Sequence, residues 1–324
     1  MIKYLKKVGK LKFNYKKKTI KKITIFFNIS IMIISYAYYL YKFNLPLEKI
    51  FQNIKIYSKN DTLNELIFKN KSISRFGDGE FTLIYGEGNL FQDCNKIISK
   101  KLIKILRSNE KNLLIGINIP YTNKSLERYI DIVKEYYYNL LNKKKHLIFK
   151  LLDKNKEYYS SDITRFYMDF KNKSYVPNYI KTFKKLWEKK DIVIIEGEKS
   201  RLGVGNDLFD NSKSIKRILC PAKNAFKVIK KITNEVINKI DRKSLILLAL
   251  GPTATILAYD LYKLGYQVVD VGHIDIEYEW FLKNASNKII IKNKYIAEIN
   301  GDNNNFTDVK DKRYYNQIIA KILN

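Results

Sequence analysis

The chain has 324 residues, of which 46% are hydrophobic and 14% aromatic, so it can bury one substantial core with a small appendage. Its net charge of +29 admits an anionic membrane surface or a phosphate-rich substrate as partner, and it also fits a coding bias towards lysine and asparagine. With two cysteines far apart and two histidines, composition excludes a disulfide framework and a histidine-rich zinc centre. A bound metal would therefore be a hard ion held by oxygen ligands. The chain has no nucleic-acid-binding motif, and no nucleic acid is expected as a partner.

Residues 1–55 are interpreted as a basic and hydrophobic N-terminal extension, and the folded domain is expected over 56–324. Residues 1–22 carry ten lysines, and the nearly uncharged stretch 23–41 follows. That stretch approaches the length of a membrane span, but polar residues interrupt it. Three interpretations stay open: an anchor on the inner leaflet with its lysines on anionic lipid, a membrane span, or a helix packed on the core.

Short aliphatic runs alternate with amphipathic segments from about residue 61 onwards. Such runs, buried on both faces and separated by helices, predict an α/β fold with a Rossmann-like, mostly parallel sheet flanked by helices. Ligands of such sheets bind beyond the carboxyl ends of the strands. The expected strands are Ser72–Phe76, Leu113–Ile117, Ile192–Ile195, Ile215–Leu219, Leu245–Leu250 and Gln267–Val271.

The first loop that follows a predicted strand places Asp78 and Glu80 one residue apart between glycines. Two carboxylates at this spacing reach one ion and leave positions open for phosphate oxygens, which is typical of magnesium or manganese sites. The alternative is an ordinary turn whose acid caps a helix.

The loop after the strand that ends at Ile195 is rich in glycine and positive charge. Gly203 and Gly205 permit close approach of a ligand to the backbone, Arg201 supplies charge, and Asn206 is suited to a ribose or a base. The spacing matches neither a dinucleotide fingerprint nor a P-loop. A flexible surface loop is the alternative.

Two further loops lead from strands into helices and suit anions. Lys223 is expected in the first turn of one helix, and Gly251, Pro252 and Thr253 begin another. Free backbone N–H groups and the helix dipole attract negative charge at such positions. Simple helix capping is the alternative for both.

An acidic cluster follows the last strong strand. If that segment is extended, alternation puts His273, Asp275, Glu277 and Glu279 on one side of the chain. One of these groups would be a third metal contact or the base that activates an acceptor hydroxyl. A satisfied histidine beside a solvated acidic face is the alternative.

Long stretches of the chain resemble the glycosyltransferase D-fold (GT-D) family, first described as a bacterial domain of unknown function. The resemblance covers about Asp61 to Glu298. Its motifs are SRFGDGEF at 74–81, SDITRFYMD at 161–169, the run from Glu196 to Phe226, LALGPTATILAYDL at 248–261 and GYQVVDVGHIDIEYEWF at 265–281.

The resemblance implies a metal-dependent enzyme that moves a glucose-like hexose from a UDP-sugar to a glycan or glycoprotein acceptor in bacterial surface glycan biosynthesis. In that family a D-x-E element binds the ion, Mn²⁺ or Mg²⁺, and Asp78 and Glu80 match it. The matching motifs also imply donor contacts, and the acidic cluster supplies catalytic candidates. The donor contacts are Arg75, Arg201, Gly203, Gly205, Asn206, Lys223, Gly251, Pro252 and Thr253, and the catalytic candidates are Asp275, Glu279 and His273.

A cytosolic nucleotide-sugar favours the surface anchor over the span, which predicts a cytoplasmic protein held at the inner face of the cell membrane through residues 1–41. A dehydrogenase or methyltransferase is disfavoured, because the first loop carries two acids where those folds need a glycine fingerprint. The remaining alternative is a non-catalytic nucleotide- or membrane-binding α/β protein. It would explain the charge but not the acids at strand ends.

Overall fold

A computed structural model describes residues 24–35, 47–51, 53–118, 122–296, 299 and 309–323. The chain divides into two compact units, Met1–Ile50 and Phe51–Asn324, and the predicted domain boundary after residue 55 stays a prediction. The basic run 1–22 lies outside the described residues. In the stretch that follows it, residues 24–35 form a helix whose apolar side chains are exposed. Across the described ranges, no helix combines the length and apolar character needed to cross a bilayer.

The second unit contains a nine-stranded sheet in which every paired strand runs parallel to its neighbour. This architecture confirms the predicted parallel α/β fold. The strand order is β1-β4-β3-β2-β8-β7-β5-β6-β9. The strands are β1 (Lys55–Ile56), β2 (Ser72–Phe76), β3 (Leu113–Ile117), β4 (Glu157–Ser160), β5 (Asp191–Gly197), β6 (Ser214–Cys220), β7 (Leu245–Ala249), β8 (Gln267–Asp270) and β9 (Ile318–Lys321).

All six predicted strands are present within one or two residues of their predicted ends. The three strands that were not predicted, β1, β4 and β9, are short and lie at or next to the edges of the sheet. The first unit contains α1 (24–35), and α2 (Leu47–Phe51) spans the boundary between the units. The helices of the second unit flank the sheet. They are α3 (Lys59–Phe68), α4 (Asp78–Ile84), α5 (Lys96–Arg107), α6 (Asn123–Leu126), α7 (Asp131–Leu151), α8 (Val176–Lys184), α9 (Ile229–Lys239), α10 (Pro252–Lys263), α11 (Ile274–Leu282) and α12 (Lys312–Gln317).

The strand order has a topological switch point at the β2–β8 junction. On one side of this junction, β2, β3 and β4 follow one another towards the edge of the sheet. On the other side, β7 and β8 lead back to the junction. Because every strand is parallel, the loops that follow β2 and β8 leave the sheet at the same edge. This geometry predicts a ligand cleft at that edge.

A buried ion pair fixes the loop that follows β5. Glu196 is 0% exposed and its Oε1 lies 2.6 Å from Arg217 Nη1, while its Oε2 accepts the Leu202 amide at 2.8 Å. Arg217 also donates to the Leu202 carbonyl at 2.8 Å. Both ends of the pair therefore hold the same turn of the loop, so Glu196 supports the fold rather than binding a ligand.

Replacing Arg217 with methionine should lower the free energy of unfolding by about 3–5 kcal/mol, because Glu196 would remain buried without its partner. Urea denaturation of the full chain measures the change. The matched control is Lys213→Met, which breaks the exposed Lys213–Asp191 pair and should cost less than about 1 kcal/mol. Equal losses in the two variants would contradict a structural role for the buried pair.

Candidate active site

A cleft of about 690 Å³ opens at the carboxyl edge of the sheet, and the loops after β2, β4, β5, β7 and β8 line it. A segment after α4 completes the wall with Asn89, Leu90 and Phe91. The cleft therefore forms where the strand order predicted a ligand site, and it gathers side chains from segments almost 200 residues apart.

Asp78 and Glu80 both line this cleft at the start of α4. Asp78 is exposed, and its Oδ2 accepts a hydrogen bond from the Tyr136 hydroxyl on α7. Glu80 Oε2 accepts the Gly77 amide at 2.6 Å, so this acid caps the helix while it faces the cleft. The ligand-binding interpretation and the capping interpretation thus apply to the same side chain.

Burial raises the pKa of Glu80 to about 7, and the negative charges of Asp270 and Asp78 add to the rise, which the Gly77 amide opposes. Three carboxylates therefore lie near one another in a partly dehydrated site. A cation would favour their ionised forms.

Arg75 and Asp270 form an ion pair at the base of the cleft. Arg75 Nη2 lies 2.9 Å from Asp270 Oδ1, and Nη1 donates to the Ser161 carbonyl at 2.9 Å and to the Thr164 hydroxyl. Burial raises the pKa of Asp270, and Arg75 opposes that rise. Arg75 was expected to contact the donor, and the structure shows it bound to protein groups on the cleft floor.

Sequence reasoning missed Asp270, although an acid that ends a buried strand beside a predicted ligand edge was a usable signal. Gly272, two residues later, has φ of 41°. A Cβ at that position would lie 2.1 Å from Arg75 Nη2. The glycine thus permits the close approach of the β8 loop to the arginine.

The predicted donor residues of the β5 loop are held by protein contacts. Arg201 is buried with φ of 51°, and its Nη1 donates to the Asn293 carbonyl at 2.8 Å. The Asn206 amide donates to Asp275 and Glu279 at 2.8 and 2.7 Å. Arg201 and Asn206 are absent from the described cleft lining, to which Ser200 and Leu202 contribute.

The two glycines of the same loop differ in their surroundings. Gly203 has φ of 71°, its amide donates to Asp275 Oδ1 at 2.9 Å, and a Cβ there would overlap the Phe209 ring. Gly205 has φ of 81° with open space where a Cβ would lie. Neither is among the described residues that line the cleft.

The acidic segment after β8 is a helix, and the expectation of an extended segment was wrong. His273 precedes α11, and Asp275 and Glu279 lie one turn apart on it. Both accept hydrogen bonds from Lys294 Nζ, at 2.7 and 3.0 Å. Asp275 is 1% exposed, so the pair neutralises a buried lysine rather than forming a solvated acidic face.

Glu277 points to a different region from Asp275 and Glu279. It is 0% exposed, and its Oε2 accepts the successive amides of Phe166, Tyr167 and Met168 at 3.2, 2.7 and 3.0 Å. Its carboxylate therefore holds the loop that follows β4 in one conformation.

The two predicted anion loops have different positions. Gly251 and Pro252 line the cleft, whereas Thr253 is buried and donates to Gln92 Oε1 at 3.2 Å. Lys223 is exposed and absent from the described lining. It also precedes the helix rather than lying in its first turn, because Asn224 is the N-cap of the 3₁₀ helix Ala225–Val228.

Asn224 and Gln92 join the cleft wall to the ends of β6 and β7. The backbone N–H of Asn224 donates to the Phe91 carbonyl at 2.8 Å, and the side-chain Oδ1 of Asn224 accepts from Gln92 Nε2 at 3.0 Å. On the other side, Asn89 Nδ2 donates to the Gly79 carbonyl at 3.2 Å. The wall is thereby fixed to the turn that carries Asp78 and Glu80, a contact that no local sequence pattern indicated.

Sequence reasoning also missed the cleft residues Asn118, Asp162 and Arg165. Asp162 and Arg165 lie within the SDITRFYMD motif, so the motif was a usable signal for both. Asp162 is 3% exposed and accepts from the Tyr129 hydroxyl at 3.0 Å.

A divalent metal fits the residues of this site. Within the described ranges, no group of three or more His, Cys, Asp or Glu side chains is arranged to hold an ion. Asp78 and Glu80 instead offer two carboxylates in one cleft with a raised Glu80 pKa, which suits an oxygen-coordinated ion that shares its remaining positions with phosphate and water.

Gly272→Ala should destabilise the protein by about 2–4 kcal/mol, since a positive φ costs an alanine about 1 kcal/mol and the displaced Arg75 loses charge-assisted hydrogen bonds. Gly205→Ala is the matched control, because it has the positive φ without the overlap and should cost only about 1 kcal/mol. Urea denaturation compares the two. A Gly272→Ala variant as stable as the control would mean that Arg75 has room to move.

Comparisons with known proteins agree with this geometry. The family model described as glycosyltransferase GT-D fold matches residues 73–299, more than half of the chain. A probable glycosyl transferase Gly from Streptococcus gordonii is 40% identical over 279 residues, which is 84% of this chain and 39% of the relative. Glycosyltransferase GlyD from Streptococcus pneumoniae serotype 4 is 36% identical over 296 residues, 86% of this chain and 34% of the relative. The chain therefore spans between a third and two fifths of the length of these curated relatives.

Solved structures match this chain over nearly the whole of their own length. A glycosyltransferase (DUF1792) from Streptococcus sanguinis has a TM-score of 0.78 at 38% identity, covering 83% of this chain and 99% of the other. A domain of unknown function 1792 with a distinct glycosyltransferase fold has a TM-score of 0.80 at 36% identity, covering 85% and 98%. From the family match and these similarities, the chain belongs to the glycosyltransferase GT-D fold family.

Proposed function

We propose that the chain transfers a glucose-like hexose from a UDP-sugar to a glycan or glycoprotein acceptor in bacterial surface glycan biosynthesis, with Mn²⁺ or Mg²⁺ as cofactor. The observation that carries the proposal is the pair of Asp78 and Glu80 in the cleft at the β2–β8 switch point. Without a cation, these acids and Asp270 would repel a diphosphate, so the site favours a donor that binds together with a metal.

Asp78 and Glu80 would hold the ion, which when bound would offset charge on the donor diphosphate. Arg75 keeps Asp270 in place beneath them. Leu90, Phe91 and Pro252 give one side of the cleft an apolar wall.

The acceptor hydroxyl must lose its proton as its oxygen bonds to the anomeric carbon and the bond from that carbon to the diphosphate breaks. Among the three catalytic candidates, Asp275 and Glu279 each accept a hydrogen bond from Lys294, so their carboxylates are already engaged. His273 lines the cleft just before α11, so we assign the proton to its imidazole.

Calorimetric titration of UDP and UDP-glucose into the full chain with Mn²⁺ should give micromolar binding that excess chelator removes. Asp78→Asn should weaken UDP binding at least about tenfold, because the ion loses a charged ligand. The matched control is Asp210→Asn, which removes an exposed acid that is absent from the described cleft lining. If the folded wild type binds no UDP with metal present, a non-catalytic binding role replaces this proposal.

The composition of the N-terminal extension supports the proposal that the protein associates with the inner face of the cell membrane. Ten lysines precede a helix at 24–35 whose isoleucine, phenylalanine and methionine side chains are mostly exposed. A basic segment beside an apolar helix suits anionic lipid. We therefore infer a cytoplasmic enzyme that reaches its acceptor at a membrane surface.

The full chain should bind vesicles containing anionic lipid and bind purely zwitterionic vesicles weakly, with an affinity that falls as salt rises. Replacing Lys16 and Lys17 with glutamine should weaken binding about tenfold or more, at about 1 kcal/mol per lysine. The matched change of Lys230 and Lys231 on α9 should have little effect, and cosedimentation measures both. Equal losses would show that net charge, rather than the extension, drives binding.

A further inference from the structure

The cleft carries more acidic than basic side chains. Five carboxylates line it, whereas the arginines and lysines among its described lining residues are Arg75 and Arg165. A diphosphate leaving group needs positive charge on more than one side as its bond to the sugar breaks. A metal held by Asp78 and Glu80 would supply that charge at the β2 loop, and a second cation would have to come from elsewhere.

Arg75 is poorly placed to supply it. Its Nη atoms already contact Asp270, Ser161 and Thr164. Turning this guanidinium towards a ligand would leave the Asp270 carboxylate buried without its counterion.

Arg165 enters the cleft from the loop after β4. It follows the 3₁₀ helix Ser161–Thr164, and its amide donates to the Asp162 carbonyl at 3.0 Å. Its side chain is 28% exposed and lies 3.9 Å from the nearest oxygen of Asp169, which is the outer limit of an ion pair. A guanidinium in this position can form paired hydrogen bonds with phosphate oxygens.

The backbone beside Arg165 is unusually well fixed for a loop. Glu277 Oε2 accepts the three amides that follow Arg165, and the Tyr175 hydroxyl donates to the Phe166 carbonyl at 2.8 Å. Burial raises the pKa of Glu277, and the charge of Arg165 opposes the rise, so the two groups interact. One buried carboxylate thus holds the backbone that directly follows Arg165.

We propose that Arg165 binds the β-phosphate of the donor and stabilises the leaving diphosphate, and that Glu277 is the positioning residue that aims it. The inference rests on the proposed use of a UDP-sugar. It assigns the second cation of the site to the SDITRFYMD motif rather than to Arg201 or Lys223.

Arg165→Gln should weaken binding of UDP to the full chain with Mn²⁺ by about 10- to 100-fold, the loss of a charged hydrogen-bonding pair. Binding of UMP, which lacks the β-phosphate, should change by less than about threefold. Lys230→Gln is the matched control, since it removes a positive charge from an exposed residue of α9 that is absent from the described lining, and UDP binding should be unchanged. Calorimetry measures the affinity of the Arg165→Gln variant for UDP and for UMP, and the affinity of the control variant for UDP.

Arg165→Lys keeps the charge and should bind UDP about tenfold more tightly than Arg165→Gln, which separates a phosphate contact from a general effect on folding. Glu277→Gln should weaken UDP binding by about three- to tenfold in the wild type and have no further effect in Arg165→Gln, because a positioning residue acts through its target.

Wild-type UDP binding that Arg165→Gln leaves unchanged would overturn the Arg165 assignment while the proposed function stands. Equal losses of UDP and UMP affinity would overturn the assignment to the β-phosphate. Additive effects of the Arg165 and Glu277 changes would overturn the positioning role. Absence of UDP binding by the wild type would instead count against the proposed function itself.

Discussion

The junction between β2 and β8 is the constraint on which the rest of the site depends. The two strands share a single register pair, Ile73 with Val269, so side chains supply most of the joint. The Ser72 hydroxyl accepts the Val268 amide at 2.9 Å, and the Arg75–Asp270 pair closes the carboxyl end at 2.9 Å. Because the two halves of the sheet meet here, this joint sets the distance between the Asp78 turn and the β8 loop.

That joint also concentrates negative charge. Bringing the ends of β2 and β8 together places Asp270 near Glu80 and Asp78, and Arg75 compensates only part of the charge. A fold gains nothing in stability from carboxylates crowded in a partly buried cleft. The proposed cation would account for this crowding, while the Gly77 amide and Arg75 hold Glu80 and Asp270 in place.

The central strands were predictable from sequence because each is a run of buried aliphatic residues, whereas the sheet edges were not. Glu157–Ser160 carries two tyrosines and two polar residues, which gives β4 no aliphatic run to recognise. The segment after β8 misled for the opposite reason. Its strict alternation of polar and apolar residues is typical of a half-exposed strand, yet it forms a helix in which all seven residues from Ile274 to Trp280 are buried. The polar residues of this alternating segment can be buried in a helix because protein groups replace solvent around them. Lys294 pairs with Asp275, and three backbone amides donate hydrogen bonds to Glu277.

The candidate site was predictable where position in the chain determines position in space. Asp78, Glu80, Gly251 and Pro252 line the cleft because each begins a helix directly after a parallel strand. Arg201 did not follow this logic, since its left-handed backbone turns the side chain to the Asn293 carbonyl.

The sign of a charge shows what a side chain can bind but not which way it points. That direction depends on partners such as Lys294, which bonds Asp275 and Glu279, 19 and 15 residues earlier in the chain. Through these acids it also helps to position Asn206, which donates to both. Asp275 and Glu279 of α11 are thus balanced by Lys294, whereas Glu277 accepts three backbone amides through one oxygen. At the strand ends, the β2 loop contributes Asp78 and Glu80 to the cleft lining, and the β4 loop contributes Arg165.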